Sequence, residues 1–445
     1  MTREQIGAWV SKYESLILDA QRYIWKHPET GYKEVKTSAY LKDRFEQLGY
    51  QLTVAQGIPG FYTRIETGRE GPEILILAEL DSIICPQHKD ADAQTGAVHS
   101  CGHNAQCAAL LGIAAALKEP DALRGLCGAI RLCAVPAEEL LEIEYRSKLK
   151  EQGIIRYYGG KTEFLARGYF DGVDLAFMVH TANRFFVQGG SVGCIAKRII
   201  YKGVSAHAGG SPWDGRNALY AASLGLQSVN AIRETFRESD LIRVHPIMTH
   251  GGDMVNAIPE RAVLESYVRG SSFDAIERAN VNVNRAFVGA ALSIGTNVEI
   301  IDYPGYAPLI NDKGLVDIAR EAYSFIAPGN ELTVSDNIGT GSTDLGDLSC
   351  LMPVVHPYAA GARGKGHGSD YEIENPMDAC VESAKWQLAM VALLLENEGE
   401  RAKKIIREYQ PQFATKEAYF AYLEKTFSTS GDRIQYNDDT TAFVR

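Results

Sequence analysis

Residues 129–139 read AIRLCAVPAEE, a short apolar run that passes through one proline and one alanine into two adjacent glutamates. A bounded apolar run of this length reads as a strand buried on both faces, the habit of strands in parallel sheets covered by helices. Two other stretches repeat the pattern. Glu73–Leu77 (EILIL) leads to Asp81, and Asp174–Val179 (DLAFMV) ends at His180. Three buried strands therefore each deliver a carboxylate or a metal-capable side chain at the carboxyl end, where open α/β sheets bind their ligands.

Outward from these strands, Ile6, Trp9, Val10, Tyr13, Leu16, Ile17, Ala20 and Ile24 recur at helical intervals over residues 4–26. Thr37–Leu48 repeats the pattern, so the chain is expected to open with two helices. Ala105–Leu117 reads as a further helix. From about Gly189 the texture changes to Cys194–Tyr201, a helix over Asn217–Phe236, Ile242–Thr249, Arg261–Gly270, a helix over Phe273–Gly289, and Val298–Ile301. That order suits a separate α+β unit with helices on one face of an antiparallel sheet. Apolar strands and helices resume after Tyr303, which makes the smaller unit an insertion.

A chain of 445 residues is long enough for two cores, and 45% hydrophobic with 23% charged residues is ordinary for a globular protein. The formal charge of −11 argues against a general attraction to nucleic acid or an anionic membrane. Charges run throughout the N-terminal stretch, which lacks a signal-peptide core, and no segment has the length of a membrane span. A soluble, cytoplasmic protein is expected. Cys85, Cys101, Cys107, Cys127, Cys133, Cys194, Cys350 and Cys380 are scattered, unlike a secreted disulfide framework; most are expected to be reduced and buried, with Cys101, two residues from a histidine, the exception.

In His99-Ser100-Cys101-Gly102-His103-Asn104, a thiolate and an imidazole two positions apart can face one ion, with glycine allowing the turn. A chance pair of buried side chains is the alternative. Of the adjacent Glu138 and Glu139, one can ligate a metal while the other serves as general base toward a water activated by it. A solvated turn is the bland reading, made less attractive by the apolar residues on both sides. His180 closes a strand, where a hydrogen-bonded core histidine is also reasonable. His207 lies among small residues in SAHAGGSP. His367 lies in the glycine-rich GARGKGHGSD, which suits either a ligand loop or a flexible turn. His27, His88, His99, His245, His250 and His356 read as structural.

Taken in order, AELDSI (78–83), CGHN (101–104), PAEE (136–139), DGVDLAFMVH (171–180), KGVSAHAGGSPWDGRNAL (202–219), GGDMVNAIPERA (251–262) and GSTDLGDLS (341–349) resemble the metallo-aminoacylase and glutamate carboxypeptidase family of amidohydrolases. The nearest resemblance is to the branch that holds p-aminobenzoyl-glutamate hydrolase and β-alanyl-lysine dipeptidase-like proteins. The resemblance implies an α/β fold: a mixed-sheet, zinc-peptidase-like catalytic domain (residues 1–188 and 304–395) with an inserted α+β lid and dimerisation domain (189–303) and a C-terminal helical extension (396–445).

It further implies that Cys101, His103, Glu139, His180 and His367 bind two divalent ions (Zn, Mn, Co or Ni), with Cys101 bridging. Glu138 would be the general base and Asp81 a carboxylate that orients a ligating histidine. His207 would reach a neighbouring protomer's site in a homodimer, and Asn256 and Arg269 would grip a substrate carboxylate. The implied activity is hydrolysis of the amide bond of a small N-acyl amino acid, an aminobenzoyl-glutamate-like compound or a dipeptide with a free carboxylate. Asn104, Gln106 and Glu79 depart from the commoner family residues. Leu140–Gly160 is longer than the family pattern, replaces the glycine after the carboxylate pair, and is expected to line or cover the site.

Three competing readings remain. Gly189-Gly190-Ser191-Val192-Gly193 fits the G-x-S-x-G of serine hydrolases but precedes strand-like rather than helix-like sequence. A catalytically silent small-molecule-binding member of the same fold would have no reason to keep all five ligands and Glu138. A purely structural zinc site would not draw ligands from so many segments.

Overall fold

The computed structural model describes residues 1–330, 332–426, 431–436 and 442–444. The chain divides into two compact units: Met1–Gly190 with Leu309–Gly339 and Thr343–Ala414, and Ser191–Pro308 with Thr340–Ser342 and Thr415–Arg445.

The first unit is built on a six-stranded sheet whose order is Thr53–Val54, Phe61–Glu66, Ala129–Val135, Glu73–Glu79, Leu175–Phe177 and Val354–Val355. The first two strands run antiparallel to their neighbours, and the last four run parallel to one another, with Glu73 opposite Ala129, Glu79 opposite Val135, and Ile74 opposite Leu175. Every residue of Glu73–Glu79 and Ala129–Val135 is buried, as a strand covered on both faces requires. Because these strands are parallel and in register, their carboxyl ends open at the same edge of the sheet. Asp81, Glu138 and Glu139 follow directly.

His103–Ala116 is buried along its whole length, which explains its run of small apolar residues. The opening helical region is three helices rather than two: Arg3–Lys12, Glu14–Trp25 and Val35–Gln47. The break falls at Tyr13, whose backbone N–H donates to the Val10 carbonyl and whose hydroxyl donates to Glu119 at 2.6 Å. The expected 174–179 strand is also shorter. Its pairing ends at Phe177, and after two residues His180–Thr181 joins a second small sheet beside Tyr358–Ala359. His180 owes its position to this change of sheet.

The second unit has an antiparallel sheet ordered Arg243–Val244, Arg261–Gly270, Gly193–Lys202 and Asn297–Tyr306, with Ile247–His250 also pairing on Arg261–Gly270. Helices Ala218–Ala231 and Phe273–Ile294 pack on it around Tyr201, Val229, Phe287 and Ile300. The single strand expected over Ile242–Thr249 is divided at His245-Pro246, since proline cannot donate to a ladder. Ser191 belongs to a two-residue strand followed by the ten-residue Gly193–Lys202 strand and is buried. A nucleophile elbow needs a helix at that point, so the serine-hydrolase reading falls.

Candidate metal centre

At the carboxyl edge of the first sheet, the turn that leads into the His103–Ala116 helix sets the first two candidate ligands in place. Gly102 is left-handed (φ +91°), and a Cβ there would lie 2.4 Å from the Tyr371 hydroxyl. Only glycine makes this turn, and the turn places Cys101 and His103 on the same side. Cys101 Sγ lies 3.4 Å from His180 Nε2. Both imidazoles are oriented from behind: His103 Nδ1 donates to the Asp81 carbonyl at 2.9 Å, and His180 Nδ1 to the Thr181 carbonyl at 2.9 Å. Their Nε2 atoms are left to face inward as ligands.

The carboxylate pair splits between two neighbourhoods. Glu139 Oε1 lies 3.0 Å from His367 Nε2, while Glu138 Oε2 lies 4.0 Å from His103 Nε2. His367, left-handed at φ +63°, is held by its backbone N–H to the Ser100 carbonyl at 2.8 Å, so its loop is tied to the Cys101 turn. Asp81 joins the two neighbourhoods: Oδ1 stands 3.2 Å from His103 Nδ1, and Oδ2 accepts the Glu139 backbone N–H at 2.8 Å.

Three groups of donor atoms converge within 4.8 Å: Cys101, His103 and His180; Cys101, Glu139 and His367; and Glu79, His103 and Glu138. Cys101 is common to the first two. Thiolate, imidazole and carboxylate together suit a borderline divalent transition ion, and the donor atoms of Cys101, His103, Glu139, His180 and His367 crowd together with carboxylate and ring nitrogen facing one another. The residues therefore fit divalent metal.

The electrostatics are consistent with different tasks for these groups. Burial and Glu139 push the Cys101 thiol up, but the His103 and His180 imidazoles outweigh them and bring it down to about 6. Burial, Glu79 and Glu139 hold the Glu138 carboxyl well above the ordinary range. Burial acts on Glu139 in the same direction, yet His367 and His103 overcome it and keep that carboxyl low. Adjacent residues thus differ in their appetite for a proton.

Glu79 stands out in the sequence only as a departure from the commoner family residue, yet it is part of the site. Its Oε2 is 3.2 Å from His103 Nε2 and accepts from Gln106 Nε2 at 2.8 Å. Its Oε1 accepts from Lys161 Nζ, which also donates to Asp344 Oδ1, and Lys161 is wholly buried. The signal that could have found it is strand alternation, which, continued past Glu79, sends Asp81 to the same side. Lys161 carries no local signal, and Asp344 falls within the 341–349 motif without a role legible there. His356 carries none either and reads as structural in the sequence; its ring centroid lies 5.7 Å from that of His180.

His207, Asn256 and Arg269 lie in the second unit. His207 is exposed, and its Nδ1 accepts from the backbone N–H groups of Gly209 (3.1 Å) and Gly210 (2.8 Å), leaving the proton of the neutral ring on Nε2. Asn256 is exposed on the neighbouring segment, where its carbonyl accepts from the Ala208 backbone N–H at 3.0 Å. Arg269 donates to Ser342 Oγ at 3.3 Å and lies over the Tyr267 ring. Among the described residues no carboxylate forms an ion pair with it.

The sequence pattern of peptidase family M20/M25/M40 matches residues 76–392. Human (Homo sapiens) Xaa-Arg dipeptidase is 29% identical over 87% of this chain and 89% of its own length. One of the two subunit types of Escherichia coli p-aminobenzoyl-glutamate hydrolase is 29% identical over 64% of this chain and 58% of its own. The crystal structure of a Bacillus subtilis dinuclear metal-binding M20 peptidase superposes with a TM-score of 0.63 at 19% identity, covering 86% of this chain and 99% of that one. Among the described residues no helix is long and apolar enough to cross a membrane. The family match, spanning well over half of the chain and every candidate ligand, establishes that this protein belongs to peptidase family M20/M25/M40 and is an amidohydrolase.

Proposed function

We propose that the protein hydrolyses the amide bond of a small N-acyl amino acid, an aminobenzoyl-glutamate-like compound or a dipeptide with a free carboxylate. The observation that carries this reading is the sharing of Cys101 between two ligand groups, with Glu138 beside them. On this reading Cys101, His103 and His180 hold one divalent ion and Cys101, Glu139 and His367 a second. Zn, Mn, Co and Ni all accept such donors. The ions would supply Lewis acidity, making water a nucleophile at neutral pH and polarising the scissile carbonyl.

Glu138 takes the proton that the attacking water loses and passes it to the amide nitrogen as the carbon–nitrogen bond breaks. Its Oε2, 4.0 Å from His103 Nε2, stands beside the ligand groups where such a proton would be exchanged. Asp81 fixes the orientation of His103 and of the Glu139 backbone. Arg269 offers two parallel donors to the substrate carboxylate, assisted by Asn256. His207 presents an Nε2–H toward the scissile carbonyl of a second copy's substrate.

That last role requires a homodimer. Support comes from the second unit's exposed apolar side chains: Tyr220, Met254 and Val255, each at least 62% exposed, line one surface depression, and Trp213 and Ile247 of the same unit are at least 61% exposed. All eight cysteines are unbridged, which fits a reducing cytoplasm.

The test is metal analysis of chelator-free protein together with a hydrolysis screen of p-aminobenzoyl-glutamate, β-alanyl dipeptides and N-acyl amino acids in several metals. Two ions per chain and turnover of one substrate class are expected. Metal-replete protein with no turnover across the screen would defeat the reading.

A further inference from the structure

We propose that Arg146, carried by the Leu140–Gly160 stretch, is a positioning residue that holds the Glu138–Glu139 loop in its working orientation. The proposal rests on the hydrolytic reading above and explains what this stretch does: its buried arginine braces the carboxylates from behind.

The loop between Val135 and the Ile143–Glu151 helix is conformationally demanding. Ala137 (φ +57°) and Glu142 (φ +52°) both occupy the left-handed region, which residues other than glycine rarely adopt. Such a backbone persists only where its surroundings over-determine it. Three buried side chains do so. Glu34 Oε1 accepts the Ala137 backbone N–H at 2.7 Å, Asp81 Oδ2 accepts that of Glu139 at 2.8 Å, and Arg146 Nη2 donates to the Glu139 carbonyl. The other arm of the same guanidinium, Nη1, donates to the Tyr158 carbonyl at 2.6 Å. Arg146 thus joins the two ends of the stretch with one rigid fork while only 1% exposed.

The packing leaves the fork little room to move. A Cβ at Gly31 would lie 2.3 Å from Arg146 Nη2 and 3.0 Å from Ala137 Cα. The Tyr32 ring covers the guanidinium, its centroid 5.6 Å from Cζ. A planar guanidinium can bond two carbonyls in divergent directions, which a lysine ammonium on its flexible stem does poorly. If the brace is lost, the Glu139 carbonyl is released from Arg146 and the carboxylate on the same residue turns away from Cys101 and His367.

Arg146→Lys and Gly31→Ala disturb the brace in independent ways, the first removing the fork and the second pushing it aside. Each should lower kcat about 10- to 100-fold, the range for residues supporting metal ligands, while KM changes little. In Mn²⁺ titrations each should lose affinity for one of two ions by a similar factor, with an unchanged far-UV circular dichroism spectrum. If both variants match wild type in Mn²⁺ binding and kcat, or lose only thermal stability, the proposal is overturned. Should neither fold, hydrogen exchange of the wild type decides: Mn²⁺ should protect the Glu139, Leu141 and Arg146 amides together, and exchange of 143–158 independent of Mn²⁺ would overturn it. A wild type that binds no Mn²⁺ would instead defeat the hydrolytic reading itself.

Discussion

Glu79, Asp81, His103 and Glu138 in the first unit are at most 6% exposed, whereas His207 and Asn256 in the second unit stand in solvent. The buried set is held from several directions at once: Asp81 touches both His103 and the Glu139 backbone, and Lys161 spans Glu79 and Asp344. The exposed set has fewer partners: His207 Nδ1 accepts from the Gly209 and Gly210 backbone, and the Asn256 backbone carbonyl accepts from Ala208. Ionisable groups that must keep a fixed geometry out of water need partners that offset their desolvation, while exposed groups keep their hydration and need none; the roles proposed above for His207 and Asn256 require that availability.

Two buried lysines sharpen the contrast. Burial opposes the charge of Lys161, but Asp344 and Glu79 overcome it and raise its proton affinity. Lys197 in the second unit has Asp302 as its ion-pair partner, with Asn280 adding a neutral acceptor, and there burial prevails and lowers it. A second carboxylate reverses the sign.

The largest expected effect separates the two adjacent carboxylates. Glu138→Gln should reduce kcat by about 10²- to 10⁴-fold with metal content retained, as expected for removal of a general base. Glu139→Gln should lower metal content first. Exchanged phenotypes in metal analysis and steady-state kinetics would reverse the assignment of base and ligand. Next in size, Lys161→Met leaves Glu79 and Asp344 buried against each other and should cost about 3 to 5 kcal/mol in denaturant unfolding. A loss confined to a few tenths would show that the cluster tolerates its charges without the lysine.

On the exposed side, Arg269→Ala should cost at least about 2 kcal/mol in kcat/KM for free-acid substrates and little for the corresponding amides. Equal losses would make Arg269 a support of its own sheet. For the second unit as a whole, an inactive His207→Ala chain mixed with an inactive Glu138→Gln chain should regain activity through heterodimers. Verified subunit exchange without recovery would contradict action across a dimer.

The smallest effect concerns His356, which burial, aided by the neighbouring His180, lowers to about 3. Because the folded state binds its proton less readily than the unfolded chain, this contribution to stability is present above the unfolded pKa near 6.5. It is lost as pH falls toward the folded value. Between pH 6.5 and 5.5 the metal-free protein should lose about 1 kcal/mol through this residue, a loss that His356→Phe should abolish in urea unfolding. An unchanged pH dependence would mean that the ring charges without opening the fold.

How much was legible from the residues alone follows from distance along the chain. The AIRLCAVPAEE, EILIL and DLAFMVH stretches announce buried strands with chemistry at their ends, because a strand's period and its terminal side chain are local properties. The Cys101–His103 turn is legible for the same reason, and the order of the motifs points to the family. Breaks are harder: Pro246 divides a strand visibly, but the change of sheet that places His180 depends on pairing with Tyr358, far away in the chain. Lys161 bonds Glu79 across 82 positions and Asp344 across 183. Arg146, only seven residues from Glu139, is equally silent in the sequence, since its role depends on the left-handed turn between them. Local pattern determined which residue types stand at the strand ends. Only the tertiary structure decided which buried charges face one another, because that depends on how the parallel strands and their covering helices converge.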